Sequence, residues 1–171
     1  LFRSWTTDDL RALHGDEAAL RRTLVLARDA GLNMLRIGGT MAYESDAFYA
    51  LCDELGILVW QDFMFANMDY PIDDAAFMAS ITLEACQQLQ RRQASASLVL
   101  WCGNSEVAQQ AAMWGAPREL WPSTLLDDTL AQLCGEHAPG TPYWPSSAHG
   151  GSFPHQAVEG TTSYYGVGAY L

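Results

Sequence analysis

The chain has 171 residues, of which 49 % are hydrophobic and 17 % are charged, and this composition excludes a disordered tail or a fibrous protein. Its nine basic residues are all arginines, and twenty carboxylates leave a formal net charge of −11. Such a charge repels polyanions, so we expect no nucleic-acid partner and no membrane partner. No apolar run reaches the roughly 18 residues of a membrane span either.

The cysteines and histidines indicate neither a disulfide framework nor a metal site. No C-x-x-C pair is present, and the histidines lack the spacing of metal ligands, so we expect no cofactor. The first residues lack the basic and then apolar layout of a signal peptide. We therefore expect a segment of a longer protein, which leaves a cytoplasmic and a periplasmic location both open. The cysteines Cys52, Cys86, Cys102 and Cys134 are expected to be small buried hydrophobic residues.

The first half of the chain alternates helix and strand. Apolar periodicity predicts a helix over 16–30, which ends at Gly31, and then a short buried strand over 33–38 that contains Arg36. Ser45 is typical of a helix N-cap and Gly56 of a helix end, so a second helix is predicted between them. The apolar run over 57–62 follows at once as a second strand.

The second half repeats this order less regularly. A long helix is predicted over 73–93 and a third strand over 97–103, in the run "SLVLWCG". One or two helices follow, with a break at Gly115–Pro117. The segment "TPYWPSS" indicates a fourth strand, near 141–146, and "TTSYYGVG", over 161–168, a possible fifth.

This order predicts an α/β fold with parallel strands. Strands that are apolar along their whole length and separated by amphipathic helices are covered on both faces. An open doubly wound sheet and a β/α barrel both satisfy the pattern. No linker divides the chain, so we expect residues 1–171 to form one domain.

Polar side chains follow each predicted strand, at the sheet edge where parallel α/β proteins place their functional sites. No Walker A loop, G-x-G-x-x-G or G-x-S-x-G motif is present, which disfavours phosphate binding and serine hydrolysis. Carboxylate chemistry remains, and Glu106 ends the strand "LVLWCGNSE". Glu106 either caps the following helix or lies at a pocket as an acid with a raised pKa.

Aromatic residues near the strand ends favour a sugar as the ligand, because flat rings stack on the apolar faces of pyranoses. Each of them is equally typical of an ordinary buried core. A glycosidase needs two carboxyl groups, one to protonate the leaving oxygen and one to attack or to activate water. The tryptophans concerned include Trp60 and Trp101.

The segments "LCDELGILVWQDFMFA", "YP" and "LVLWCGNSE" resemble the catalytic barrel of glycoside hydrolase family 2, and most of all its β-mannosidase branch. The resemblance implies a partial (β/α)8 TIM barrel, with parallel strands and outer helices, from a larger retaining glycosidase without a metal cofactor. It implies a carbohydrate substrate. It also implies the remaining barrel units and β-sandwich domains of the full-length chain as partners.

The resemblance also assigns site residues. Glu106 ends the family's G-N-x-E motif and corresponds to its general acid/base. Arg36, Asp62 and Asn104 fall on positions that shape the sugar site or support its carboxylates, and Ser105 occupies the position before the acid/base that contacts the sugar. Trp60 or Trp101, from the strand ends, is expected beside them as a substrate-binding ring. The nucleophile of the family lies on a later strand, so we expect this chain alone to hydrolyse no glycoside.

Two departures from the family pattern affect the sugar that is bound. Ser105 stands where asparagine is usual, and Gly38 stands where β-mannosidases carry a tryptophan. They leave open a non-catalytic carbohydrate-binding or scaffold relative as the alternative. A barrel typically needs about 250 residues, so we also expect an exposed sheet edge and self-association of the isolated chain.

Overall fold

The structure is a computed structural model, and it describes residues 2–5, 16–121, 123–154, 156 and 158–161. In this part of the chain, five strands form one sheet in which neighbours in sequence are neighbours in space. All four pairings are parallel. The strands are β1 (Phe2–Trp5), β2 (Met34–Ile37), β3 (Leu58–Asp62), β4 (Leu98–Cys102) and β5 (Tyr143–Trp144).

Helices connect the strands. The predicted helices over 16–30, 45–56 and 73–93 are confirmed, and the broken segment contains a 3₁₀ turn and a π-helical turn between its two α-helices. Gly115 adopts a φ of 78° where α4 has ended. The α-helices are α1 (Glu17–Asp29), α2 (Asp46–Leu55), α3 (Ala75–Arg92), α4 (Val107–Met113) and α5 (Leu130–His137), and the two turns are Arg118–Leu120 and Leu125–Thr129.

The parallel α/β prediction is confirmed, with differences in strand length and number. The fourth predicted strand, over 141–146, is reduced to the two residues of β5. β1 was not predicted, because four residues that mix charge and aromatics carry no clear strand pattern. The possible fifth strand lies almost wholly outside the described residues. Only Thr161 of it is described, and it forms an antiparallel bridge with His149.

The helix ends follow from local sequence. Ser45 caps α2 by accepting a hydrogen bond from the N–H of Phe48 (3.4 Å), and Gly56 ends it with a φ of 70°. At the start of α3, the Asp74 carboxylate accepts hydrogen bonds from two backbone N–H groups, at 2.8 and 3.1 Å. Ser45 and Asp74 thereby fix where the loops that follow β2 and β3 end.

The sheet has two different faces. Leu35, Ile37 and Val59 belong to a buried apolar core that includes residues of α1 and α2, and Gln61 on the same face accepts a hydrogen bond from Tyr49 of α2. We call this the helix-packed face. The opposite face, which we call the Arg36 face, carries Arg36, Trp60, Asp62, Leu100 and Cys102.

The register of the pairing between β3 and β4 shifts by one residue between Val59 and Trp60. Val59 pairs with Leu98, but the next residue, Trp60, pairs with Leu100. Val99 is therefore an extra residue in β4, in the manner of a β-bulge. As a result Leu98 and Trp101, three positions apart, both belong to the core on the helix-packed face.

The remaining global features are simple. All four cysteines are free thiols, and Cys52, Cys102 and Cys134 are buried. Within the described ranges, no group of three or more histidine, cysteine, aspartate or glutamate side chains is placed to hold a metal ion. None of the helices seen there combines the length and the apolar character that crossing a bilayer requires.

Candidate functional site

A buried ion pair lies at the end of the Arg36 face. The guanidinium of Arg36 donates to both carboxylate oxygens of Asp62, from Nη2 at 2.6 Å and from Nε at 3.2 Å. Asp62 is fully buried and also accepts from the N–H of Gly39 (3.0 Å) and from the indole N–H of Trp60 (2.8 Å). Four donors therefore fix this carboxylate, as buried charges require.

The two charges influence each other's protonation. Burial acts to lower the pKa of Arg36, but its hydrogen bonds to Asp62 and the charge of that carboxylate outweigh burial and raise the pKa. Burial raises the pKa of Asp62, and the donors from Arg36, Gly39 and Trp60 act against the rise. The negative charge of Glu106 adds a smaller contribution to the raised pKa of Arg36.

Asn104 joins three segments of the chain. Its side-chain oxygen accepts from the N–H of Val107 (2.9 Å), at the start of α4, and from the hydroxyl of Ser146 (3.0 Å). Its side-chain nitrogen donates to the carbonyl of Pro145 (3.0 Å). Asn104 is 1 % exposed, so the whole amide is used to hold α4 and the segment after β5 against β4.

Glu106 does not cap α4. It occupies the N-cap position in a left-handed conformation (φ 67°, ψ 18°), and its side chain makes no capping hydrogen bond. The cap is provided by Asn104, which bonds the N–H of Val107. The Glu106 side chain is thus not used for capping, and the residue is half-buried.

The backbone beneath this carboxylate is fixed from both sides. Ser105 donates to the carbonyl of Phe65 (2.9 Å) and accepts from the N–H of Asn67 (3.1 Å), while the N–H of Glu106 donates to the carbonyl of Ser147 (2.9 Å). A left-handed φ is uncommon for a residue other than glycine, and such positions persist where the surroundings hold them. Ser105 therefore contributes backbone contacts that position its neighbour.

The two tryptophans predicted near the site lie on different faces. Trp60 lies on the Arg36 face, with the Arg36 guanidinium 5.6 Å from its ring centroid. Trp101 is 1 % exposed in the core and stacks on Phe63, with 4.9 Å between ring centroids. The prediction that Trp101 lines a substrate pocket is therefore wrong for this structure, because the extra residue in β4 directs its ring towards the helices.

The two glycines after β2 have different surroundings. A Cβ at Gly39 would collide with the backbone carbonyl of Phe65 and lie 2.9 Å from that of Phe63, so only glycine fits there. A Cβ at Gly38 would meet only the hydroxyl oxygen of Thr40, at 3.9 Å. Space is therefore open at Gly38, two residues after Arg36.

The sequence analysis missed Gln109. This residue of α4 is fully buried, accepts a hydrogen bond from the N–H of Ala148 (3.1 Å), and donates to the carbonyl of Pro154 (3.4 Å). It thereby ties α4 to the loop that follows β5. The sequence carries no clear signal for it, because α4 has two adjacent glutamines, Gln109 and Gln110, and only the fold shows that Gln109 is the buried one.

The chain is similar in sequence to proteins named β-mannosidase. In an alignment of 148 positions that covers 78 % of this chain, it is 38 % identical to β-mannosidase B of Thermothelomyces thermophilus. Over 78 residues, 46 % of the chain, it is 51 % identical to the β-mannosidase of Mus musculus. The matched regions are 17 % and 9 % of those proteins, so the chain spans less than a fifth of their length. No protein-family model matches the chain.

Solved structures share the fold. The β-D-mannosidase of Dictyoglomus thermophilum superposes with a TM-score of 0.88 and 39 % identity, covering 96 % of this chain and 20 % of its own. The exo-chitosanase of Amycolatopsis orientalis superposes with a TM-score of 0.65 over 84 % of this chain and 16 % of its own, at 17 % identity. At that identity the second likeness shows the fold alone.

Proposed function

Because the chain is a β-mannosidase-like member of glycoside hydrolase family 2, we propose that it carries the general acid/base of a retaining exo-glycosidase. On this proposal the full-length protein removes terminal β-linked sugars, with β-mannosides as the first substrates to test. The five-stranded sheet is then part of a (β/α)8 barrel, and the remaining barrel units and other domains belong to the full-length chain. The short matched share of each relative supports such an arrangement.

The observation that carries the proposal is the placement of Glu106. Its side chain is released from helix capping by Asn104, and its backbone N–H is held beyond the strand ends by the carbonyl of Ser147. In the first step of a retaining reaction, an acid in this position donates its proton to the leaving oxygen as the glycosidic bond breaks. In the second step the resulting carboxylate removes a proton from the attacking water.

Arg36 and Asp62 are suited to positioning and not to nucleophilic attack. Asp62 is buried, and its two oxygens accept four hydrogen bonds, which leaves no free carboxylate oxygen for covalent chemistry. The half-buried Trp60 ring beside the pair offers an apolar surface to one face of a pyranose. We therefore propose that Asp62 orients Arg36 and Trp60, and that the nucleophile comes from outside this chain.

The acid role is tested with Glu106→Gln in the full-length protein. The glutamine keeps the shape of the side chain but cannot donate a proton. We expect the rate of the first step to fall by about 10²–10⁴ for sugar or alkyl leaving groups, which need general acid catalysis. The burst of nitrophenolate from an activated substrate should fall far less, because that leaving group departs without a proton.

A matched control is Glu119→Gln, because Glu119 is an exposed glutamate of the 3₁₀ turn. This substitution should leave the rate of the first step unchanged for both types of substrate. Equal losses for poor and good leaving groups in Glu106→Gln would remove Glu106 from the acid role.

The second candidate function is a non-catalytic carbohydrate-binding relative. The open space at Gly38 and the serine at position 105 favour it, because both alter the surroundings of the proposed sugar site. Calorimetric titration of the full-length protein with mannose and manno-oligosaccharides separates the candidates. Binding without any turnover, unchanged in Glu106→Gln, would favour the binding protein.

A further inference from the structure

A polar side chain lies among apolar ones on the helix-packed face, directly behind the buried ion pair. Gln61 is the penultimate residue of β3, and its neighbours across the sheet are Ile37 of β2 and Trp101 of β4, which both belong to the core. Gln61 is fully buried. Burying an amide costs free energy that an apolar side chain of similar size would avoid. A glutamine at this position therefore needs a reason other than packing.

The amide of Gln61 holds the peptide unit that follows Asp62. Its Nε2 donates to the carbonyl of Asp62 (2.7 Å). The N–H of the same peptide unit, which belongs to Phe63, donates to the carbonyl of Cys102 on β4 (2.8 Å). The pairing of β3 with β2 ends at Gln61, so its side chain supplies a backbone contact where that ladder stops. Both polar groups of the peptide unit are held, and they fix the direction in which the Asp62 carboxylate leaves the strand.

The helix layer sets the orientation of the Gln61 amide. The hydroxyl of Tyr49, on α2, donates to Oε1 of Gln61, so Nε2 is the atom that faces the carbonyl of Asp62. The guanidinium of Arg92, on α3, lies 4.0 Å from the centroid of the Tyr49 ring and donates to the carbonyl of Glu44 (2.6 Å). Tyr49 and Arg92 are both buried. A continuous chain of buried contacts thus runs from α3 through α2 to the end of β3.

We propose that Gln61 is a positioning residue for the sugar site and that Tyr49 sets its orientation. The inference rests on the proposed function, in which Asp62 orients Arg36 and Trp60 towards the sugar. It goes further because it assigns a role to a residue on the other face of the sheet, which touches neither the sugar nor the reacting atoms. Since Arg36 and Trp60 both donate to the Asp62 carboxylate, a small rotation of the backbone at Asp62 would displace both groups.

The test is Gln61→Met in the full-length protein, which keeps a side chain of similar length but removes both hydrogen bonds of the amide. We expect KM for nitrophenyl β-mannoside to rise about tenfold, less than the roughly 10²-fold that a 1 Å misplacement can cost. The dissociation constant for mannose, measured by calorimetry, should rise by the same factor. The value of kcat should change by less than about twofold, because the displaced groups bind the sugar equally in the ground state and the transition state.

Tyr49→Phe is the milder variant. It leaves the bond between Gln61 and Asp62 in place but removes the donor that orients the amide, so KM and the dissociation constant should rise together by a smaller factor. Should Gln61→Met fail to fold, Tyr49→Phe carries the same comparison.

Asp53→Ala is the matched control. The Asp53 carboxylate accepts from the N–H of Ser97 (2.6 Å), so it also ties α2 to the sheet, but at the end of β4 that is remote from the site. We expect this substitution to lower the urea midpoint and to leave KM and the affinity for mannose unchanged. All variants are assayed where urea unfolding shows them to be folded, so that lost stability does not count as lost binding.

Two results would overturn the positioning role while the proposed function stands. One is an equal rise of KM in Gln61→Met and in Asp53→Ala, and the other is unchanged KM and mannose affinity in both Gln61→Met and Tyr49→Phe. If the parent protein binds mannose without turnover, the acid/base proposal fails, and the calorimetric comparison alone decides the positioning role. A parent protein that neither cleaves the mannoside nor binds mannose would overturn both.

Discussion

Replacing Arg36 with methionine should destabilise the protein strongly, because it leaves a carboxylate buried without its counter-charge. Asp62 is fully buried, and the Arg36 side chain is only 12 % exposed, so water cannot replace the lost partner. The substitution removes two charge-assisted hydrogen bonds, each contributing about 1.5–3 kcal/mol. Their sum agrees with the roughly 3–5 kcal/mol lost when one member of a buried pair is removed. We therefore expect the free energy of unfolding to fall by about that amount at neutral pH.

The loss should depend on pH with a defined sign. Burial already raises the pKa of Asp62, and removing Arg36 raises it further. Between the pKa of Asp62 in the parent, already above the ordinary value near 4, and the still higher pKa in the variant, the folded variant holds a proton that the folded parent has released. The stability of the variant relative to the parent therefore falls as the pH rises through this window. The deficit should be smaller near pH 4 than at pH 7.5.

Urea unfolding at the two pH values, followed by tryptophan fluorescence, measures the effect as a shift in midpoint. Arg21→Met is the matched control, because Arg21 contacts Glu54 through the same two-bond geometry (2.6 and 2.7 Å) with both side chains about half exposed. Exposed pairs contribute little, so this midpoint should hardly move. The reasoning is refuted if the two variants shift the midpoint equally, or if the deficit of Arg36→Met grows towards pH 4.

Two further substitutions test the supports of the site. Gly39→Ala should lower the thermal midpoint sharply in a calorimetric scan, because its Cβ would collide with the backbone carbonyl of Phe65. Gly135→Ala is the control and should be neutral or stabilising, because Gly135 lies inside α5 and a Cβ there would meet nothing within 4 Å. Similar shifts of the midpoint in the two variants would contradict the steric account. Asn104→Ala should cost about 1–3 kcal/mol in urea unfolding, since it leaves the N–H of Val107 without its cap. It should also lower glycosidase activity, and a fully active Asn104→Ala protein would show that this side chain does not position Glu106.

Local rules allowed much of the fold to be predicted from the sequence. Ser45 and Gly56 mark the ends of α2 through capping and a left-handed φ, which depend only on neighbouring residues. Continuous apolar runs predicted the parallel pairing of β2, β3 and β4, and that pairing brings the ends of the strands to one edge. The contact between Arg36 and Asp62 follows from this arrangement, although they are 26 positions apart in sequence.

The details that depend on long-range packing could not be predicted. The direction of Trp101 depends on the register between β3 and β4, and no local pattern in "LVLWCG" marks an extra residue. The role of Asn104 depends on Pro145 and Ser146, which the fold brings from about forty residues away. A cavity of about 250 Å³, lined by residues of the segments that follow α4 and β5, depends on two loops whose composition carries no regular period.

The extra residue in β4 makes this strand tolerant of a change in its length at one point. Val59 pairs with Leu98 and Trp60 already pairs with Leu100, so removing Val99 would leave a regular ladder in which every later side chain keeps its face. Removing a residue after Leu100 would instead reverse the side chains that follow it, or pull the loop that carries Asn104 and Glu106 back by about 3.3 Å, away from the carbonyl of Ser147 that holds it. We therefore expect sequences that share this site to vary at position 99, in residue type and in its presence, but not in the number of residues between Leu100 and Glu106.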